Sequence, residues 1–334
     1  MNTIDGRLAR VVIAALFLLL AVLTASASAE DAKEFYNGKR LTLLVQYGPG
    51  GSFDLQARWL GRQLPGLTGA RTIVRNTPGG GGVTGYNRLY RLPPDGLTLL
   101  TAHTKLVAFD LFGRKGVKYD FAKFNYLGRV VRTNTALLVS KKLPTDIAEL
   151  RKLKRIRVGA SSPFFEGLVA EMLGLPITIV PGYGGSSERM AAIMRGELDA
   201  TMASVAGGLK FAKAVNIVLT FRKDKRTPNV PDLKEAKGKQ PWRRYASSFN
   251  RIQGAVITSP GVAKDKTKFL TKVLKQVTED PKALKEAKKL RFVVSWTSPK
   301  KLKKSVEPFT ALTVEEKKKL KFVIEQKYVG KLRN

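Results

Sequence analysis

Leu41-Thr-Leu-Leu-Val45 passes through Gln46 and Tyr47 into Gly48-Pro-Gly-Gly-Ser-Phe-Asp54, and then into Leu55-Gln-Ala-Arg-Trp-Leu60. This is an apolar strand pattern, a glycine turn and the start of a helix. A strand that turns through glycine into a helix leaves unpaired backbone N–H groups at the helix start, and these together with the helix dipole favour an anion there. The arrangement recurs at Ile177-Thr-Ile-Val180, Gly182-Tyr-Gly-Gly-Ser-Ser-Glu188 and Met190-Ala-Ala-Ile-Met194, and a third glycine loop spans Thr77-Pro-Gly-Gly-Gly-Gly-Val83. Further strand patterns at Thr72–Arg75 and Leu97–Thr101 alternate with a helical pattern near Thr84–Leu92. Alternation of this kind predicts βαβ units and a mainly parallel, two-sided sheet.

A second α/β set begins near Leu137. It contains strands at Arg155–Gly159, Ile177–Val180, Leu198–Met202 and Asn216–Thr220, and helices near Phe164–Leu173 and Ser187–Arg195. Gln253–Thr258 reads as a further strand, and the tail as amphipathic helices over Lys266–Thr278, Pro281–Leu290, Lys300–Phe309 and Val314–Gln326. The chain is expected to cross between the two sets near Arg132–Thr135 and again near Asn250–Gln253. Residues 30–132 with 253–334 then form one lobe and residues 133–252 the other. In open α/β sheets ligands bind outside the carboxyl ends of strands, where the glycine loops lie. The fold class expected is therefore α/β and two-lobed, with a ligand cleft between the lobes.

Residues 1–29 read as a signal peptide. Arg7 and Arg10 precede an uncharged apolar run over Val11–Ala25, and Ala27-Ser-Ala29 is a small-residue cleavage pattern. The run is about 15 residues where a membrane span needs about 20, so export to the periplasm with cleavage is expected. The chain of 334 residues contains no cysteine and one histidine, His103. This excludes disulfides, thiolate nucleophiles and multi-histidine metal sites. No Gly-x-Ser-x-Gly elbow or carboxylate pair suited to acid–base work is present, and neither an enzyme nor a metal or other cofactor is expected. Lys and Arg total 60 against 26 Asp and Glu, a net charge of +34. The charge is spread along the whole chain. A nucleic-acid module concentrates it on one stripe with stacking aromatics, so no specific nucleic-acid partner is expected. Such a field steers anions and allows nonspecific contact with anionic membrane surfaces.

In order and spacing, Gly50-Gly51-x-x-Asp54-x-x-Ala57-Arg58, Asn76-x-Pro78-Gly79-x-Gly81-Gly82-x-x-Gly85, Pro93-Pro94-Asp95-Gly96-x-Thr98-Leu99-Leu100, Val180-Pro181-x-x-Gly184-Gly185, and Lys225-Arg226 with Val230-Pro231-x-x-x-Glu235-Ala236 resemble the substrate-binding proteins of tripartite tricarboxylate transporters, the Bug family. The resemblance covers the chain from about Phe35 onward. It implies a type II periplasmic-binding-protein fold, monomeric, that closes on a small organic acid and passes it to membrane permease subunits. It also implies that one strand–turn–helix loop from each lobe grips a carboxylate through backbone N–H groups, here Gly50–Asp54 and Ser161–Phe165. The second loop departs from the family pattern with Pro163, Phe164 and Phe165, which shifts the expected ligand towards a more apolar or aromatic acid. A receptor that reports to a signalling partner, and a basic polyanion-binding protein, are the alternative readings.

The candidate ligand-binding residues are Gly50, Gly51, Ser52, Phe53, Asp54, Thr101, His103, Ser161, Ser162, Phe164, Phe165, Tyr183, Gly184, Gly185 and Ser204. Each has a structural reading beside the functional one. Gly50 and Gly51 suit a turn with positive φ, and Ser52 and Ser162 suit helix caps. Asp54 is stabilised by a helix dipole and orders its loop, or else meets a ligand hydroxyl or amine. Phe164 and Phe165 are adjacent on a helix, so one can pack in a core while the other walls the pocket. Tyr183 faces the cleft or packs over the hinge. Thr101 and His103 follow or end a strand beside the cleft, and Ser204 borders it.

Overall fold

A computed structural model describes residues 32–160, 163–183, 185–236, 239, 241–324 and 327–328. The signal segment and the candidates Ser161, Ser162 and Gly184 lie outside the described residues. The elements run β1 (Arg40–Val45), α1 (Ser52–Thr68), β2 (Arg71–Asn76), α2 (Val83–Arg91), β3 (Thr98–Thr101), α3 (Lys105–Leu111), β4 (Asn125–Arg132), β5 (Thr135–Ser140), α4 (Ile147–Lys152), β6 (Ile156–Gly159), α5 (Pro163–Leu173), β7 (Ile177–Val180), α6 (Ser186–Met194), β8 (Ala200–Ser204), α7 (Val205–Lys210), β9 (Val215–Thr220), α8 (Trp242–Ile252), β10 (Ala255–Thr258), α9 (Lys264–Val277), α10 (Pro281–Lys289), β11 (Val293–Thr297), α11 (Pro299–Thr310) and α12 (Val314–Ile324).

Two sheets result, in the strand orders β11-β4-β10-β3-β1-β2 and β7-β6-β8-β5-β9. Each forms one lobe of an α/β structure. Neither is mainly parallel, which corrects the sequence expectation. β1 is parallel to β2 and β3, and β6 to β7 and β8, but β4, β5, β9, β10 and β11 all pair antiparallel. Four of these, β4, β5, β9 and β10, are the strands before and after the passages between sheets. A chain that leaves one sheet, builds another and returns re-enters against the direction of its first βαβ units. The tail is not helical throughout either: β11 pairs with β4 at the edge of the first sheet.

The passages lie side by side. β4 ends at Arg132 and β5 starts at Thr135 in the other sheet, while α8 carries the chain back to β10. Thr135 Oγ1 donates to Asn250 Oδ1 at 3.0 Å. Asn134 Nδ2 donates to the Arg222 carbonyl at 2.8 Å and to Asp224 Oδ2 at 3.1 Å. Gly254 has φ of +84°, and a Cβ there would lie 2.9 Å from the Val131 carbonyl oxygen, so only glycine lets the return strand pass this close.

In the first lobe Ala57, Trp59, Leu60 and Leu64 of α1 are buried against the Leu41, Leu43 and Val45 side of β1. The other face of the sheet is covered by α2, whose Tyr86 and Leu89 pack with Leu44 and Leu100. Gly85 lets α2 come this near. A Cβ at that position would sit 2.7 Å from the Gln46 Cβ and 2.9 Å from its Cα. Because the backbone of Gln46 must move to admit a methyl group, Gly85→Ala is expected to lower stability by about 1–3 kcal/mol, read as an earlier denaturant midpoint with an unchanged slope.

Candidate functional site

The glycine turn after β1 is held by one carboxylate. Asp54 is 2% exposed. Its Oδ2 accepts from the Gly50 N–H and from Arg58 Nε, both at 2.9 Å, and its Oδ1 accepts from Asn76 Nδ2 at 3.0 Å. Asn76 also donates to the Tyr47 carbonyl at 3.0 Å. Burial opposes the charge on Asp54, but the bonds from Arg58, Gly50 and Asn76 outweigh it and hold the carboxyl below its ordinary value. Gly50 takes φ of +80° in this turn. Gly51 is the N-cap of α1 and supplies no side-chain cap. The first-turn N–H groups, from Ser52 onward, are thus presented to an outside acceptor.

Aromatic rings wall this half-site. Phe53 lies 5.4 Å from both Tyr47 and His103, centroid to centroid, and Tyr47 lies 6.0 Å from His103. The His103 backbone N–H donates to the Tyr86 hydroxyl at 3.1 Å, and Gln46 Nε2 donates to the same hydroxyl at 3.2 Å and to the Thr101 carbonyl at 3.0 Å. These bonds tie the end of β3 to the end of β1. His103 Nδ1 accepts from the Lys105 N–H at 3.0 Å and lies 3.1 Å from Thr104 Oγ1. Burial, then the charges of Lys105 and Arg189, push its pKa down to about 3, so the imidazole is neutral. Gly50 to Asp54, Thr101 and His103 therefore form one constellation in the first lobe.

In the second lobe the charged floor comes from residues that the sequence reading missed. Arg189 of α6, 5% exposed, lies across the carboxyl ends of β6 and β8. Its Nε donates to Thr201 Oγ1 at 2.7 Å and its Nη2 to the Met202 carbonyl at 3.2 Å, while Thr201 Oγ1 donates to the Gly159 carbonyl at 3.0 Å. Glu166, in the first turn of α5, is 3% exposed. Arg189 Nη1 and Glu166 Oε2 are both buried without a hydrogen-bond partner. Burial raises the Glu166 pKa to about 7, against the pull of Arg189 and then Lys105. Lys105, at the start of α3 in the other lobe, is itself lowered by burial while Glu166 raises it and Arg114 and Arg189 lower it. Arg189 of the second lobe thus acts on both His103 and Lys105 of the first, and Glu166 acts on Lys105.

The remaining candidates divide. Phe164 is 6% exposed and packs 4.3 Å from Phe112 and 4.9 Å from Phe249, so its ring joins the lobes instead of walling an open pocket. Phe165 packs 5.1 Å from Phe221. Of the two adjacent rings, Phe164 is therefore the one packed in the core, while Phe165 is half-buried. Ser204 caps α7, its Oγ accepting from the Gly207 N–H at 3.0 Å. Tyr183 packs beside the cluster of Met190, Ile193 and Val205. Gly185 is the N-cap of α6, again without a side-chain cap. A cavity of about 760 Å³ opens elsewhere on the second lobe. It is lined by Arg155, Pro176 and Ile177, at the amino ends of β6 and β7, and so lies at the opposite edge of the sheet from the loops described above.

No family model matches the sequence. Among curated proteins, the chain is 28% identical over 237 residues to a UPF0065 protein of Pseudomonas sp. (strain P51), a match covering 66% of this chain and 70% of the other. It is 25% identical over 242 residues to Protein BugT of Bordetella pertussis, covering 65% and 73%. Among solved structures, R. palustris Rpa4515 with adipate superposes with a TM-score of 0.64 at 21% identity, over 85% of this chain and 97% of that one. This last likeness is one of fold.

Removing the Asp54 charge tests the clamp. Asp54→Asn is expected to cost about 1–3 kcal/mol at neutral pH by leaving Arg58 and the Gly50 N–H poorly matched. The folded pKa of Asp54 is depressed, so its contribution is present above the unfolded value and is lost as pH falls through the folded one. Thermal melts of both proteins should therefore differ most near pH 7 and begin to converge only as pH falls below about 4; a gap that stays constant on strong acidification would show that the carboxylate charge is not what orders the turn.

Proposed function

We propose that this chain, which belongs to the Bug family of solute-binding proteins, is an exported receptor that captures a small organic acid between its lobes and presents it to membrane permease subunits. The observation that carries the reading is the uncapped start of α1, held open by the buried Asp54 clamp. A carboxylate there would accept from the first-turn N–H groups of Ser52 and its neighbours and would meet the positive end of the helix. Lys105 and Arg189 lend positive potential from the two sides of the cleft. The adipate bound to the R. palustris protein of the same fold is a ligand of this chemical class.

Closure follows from the division of the site. Neither lobe alone surrounds a ligand, and an acid that touches both is bound better by the closed arrangement, so it shifts the population that way. Recognition by backbone N–H groups calls for no catalytic group and fits a protein that releases its ligand unchanged.

A thermal-shift screen of small carboxylic acids should find at least one that stabilises the protein, by about 2.7 kcal/mol at a hundredfold excess over Kd. Gly51→Asp should abolish that response. Its new carboxylate would cap α1 and occupy the anion position, and a Cβ there meets only the Gly48 carbonyl oxygen, at 4.0 Å. A folded sample that responds to no acid, or a Gly51→Asp protein that responds like the parent, would count decisively against the assignment.

A further inference from the structure

Arg189 and Glu166 each hold one buried side-chain atom without a hydrogen-bond partner. Arg189 has two of its donors fixed by Thr201 and Met202, and its Nη1 is free of partners. Glu166 has Oε2 free and makes no ion pair with either Arg189 or Lys105, although these are the charges that act on it. Helix α5 packs on β7, α8 and α12. What α8 brings to the start of α5 is the ring of Phe249, and no charge from β7, α8 or α12 is among those acting on Glu166. A buried donor and a buried acceptor left unpaired would each cost free energy, which a ligand group matching both recovers.

We propose that Arg189 and Glu166 form a specificity subsite for a neutral ligand group that both accepts and donates a hydrogen bond, a hydroxyl or a carboxamide, at the end of the acid remote from the carboxylate held by α1. The inference rests on the acid-receptor reading above and adds the chemistry of the second end. A hydroxyl oxygen accepts from Nη1 of Arg189 and its proton goes to Oε2 of Glu166; a carboxamide does the same with its oxygen and nitrogen. An ammonium group would meet Arg189 and Lys105 and is repelled. A second carboxylate accepts from Arg189 but confronts Glu166, and two carboxylates at one site cannot both ionise without cost. A dicarboxylate must therefore bind with a proton on Glu166, whereas a hydroxy or amide acid need not. The selectivity is built from a repulsion as much as from an attraction.

The test uses the purified protein and unbranched acids of three to eight carbons ending in methyl, hydroxyl, carboxamide or carboxylate, with Kd measured by calorimetry at pH 5.5 and 8.5. For a group titrating near 7, the protonated fraction falls by about thirtyfold between these values. Dicarboxylate affinity should fall by a comparable factor, while that of the matching hydroxyl or carboxamide acid changes less than about threefold and exceeds the dicarboxylate's by about tenfold at pH 8.5. Glu166→Gln should remove the pH dependence and most of the discrimination. Binding in which a dicarboxylate is preferred at pH 8.5, or in which Glu166→Gln leaves the preference unchanged, overturns the subsite and leaves the receptor reading intact. Failure of every acid to bind at both pH values overturns the two together. Should Glu166→Gln not fold, calorimetry of the parent in buffers of different ionisation enthalpy decides: near pH 8 a dicarboxylate should take up close to one proton and a hydroxy acid none, and equal uptake for both would refute the assignment.

Discussion

The geometry of the glycine turn at the start of α1 depends on one buried carboxylate. Asp54 gathers Gly50 from the turn, Arg58 from the next turn of its own helix and Asn76 from the end of the neighbouring strand. These four positions come from three separate parts of the chain, and without a common acceptor the glycine turn would have little reason to hold one conformation. The same bonds resolve an apparent contradiction. An aspartate four residues into an anion site should repel the anion. Here its oxygens are fully engaged, its charge is offset by Arg58, and it is turned away from solvent. Its role is to fix the N–H groups of the turn, so an anion bound as proposed would meet those groups and not the acid.

Much of this clamp was legible in the sequence, though its chemistry was not. Asp54, Arg58 and Asn76 all fall within the stretches that resemble the Bug family, at fixed spacing, and Gly85 does too. The spacing marks them as a set. Only the fold shows that Asn76 reaches Asp54 across two parallel strands, and that Gly85 is there to let α2 pass over Gln46. The parallel units of both lobes could be read because each strand is short, apolar and followed by a glycine turn. β4 could not be read in the same way: Asn125-Tyr-Leu-Gly-Arg-Val-Val-Arg132 carries two arginines, which argue for a surface loop. Arg129 is nevertheless 2% exposed, because its guanidinium donates to the Arg251 carbonyl at 3.0 Å and to Thr297 Oγ1 at 2.9 Å. A charged side chain can lie inside a sheet when tertiary partners satisfy it, and pattern alone does not show those partners.

Glu166 and Arg189 stayed hidden for a related reason. An acid in the first turn of a helix is explained by the helix dipole, and Ser186-Ser-Glu-Arg-Met190 looks like the polar opening of a surface helix. Both residues become informative only when burial is known. Phe164 and Phe165 show the converse. Adjacent aromatics in a loop expected to grip a ligand suggested an apolar pocket. In the folded chain Phe164 contacts Phe112 from the other lobe and Phe249 from the helix that leads back to it, and Phe249 in turn lies 4.5 Å from Phe309. The aromatic surface is used to seat one lobe against the other.

This seating frames how charge acts in the cleft. Lys105 and Arg189 come from opposite lobes and repel one another, and His103 is kept neutral by burial and by those two charges. The single acid that acts on both cations, Glu166, pairs with neither at hydrogen-bonding distance. Like charges from the two lobes thus act on one another with incomplete compensation. In the proposed function, the carboxylate held at the open end of α1 would offset part of that repulsion. The net charge of +34 would draw many anions to the surface, but surface attraction does not favour one arrangement of the lobes over another. In the proposed function, a ligand small enough to enter, with acceptors placed for both α1 and Arg189, would lower the free energy of a closed form more than that of an open one, and this differential would couple recognition to closure.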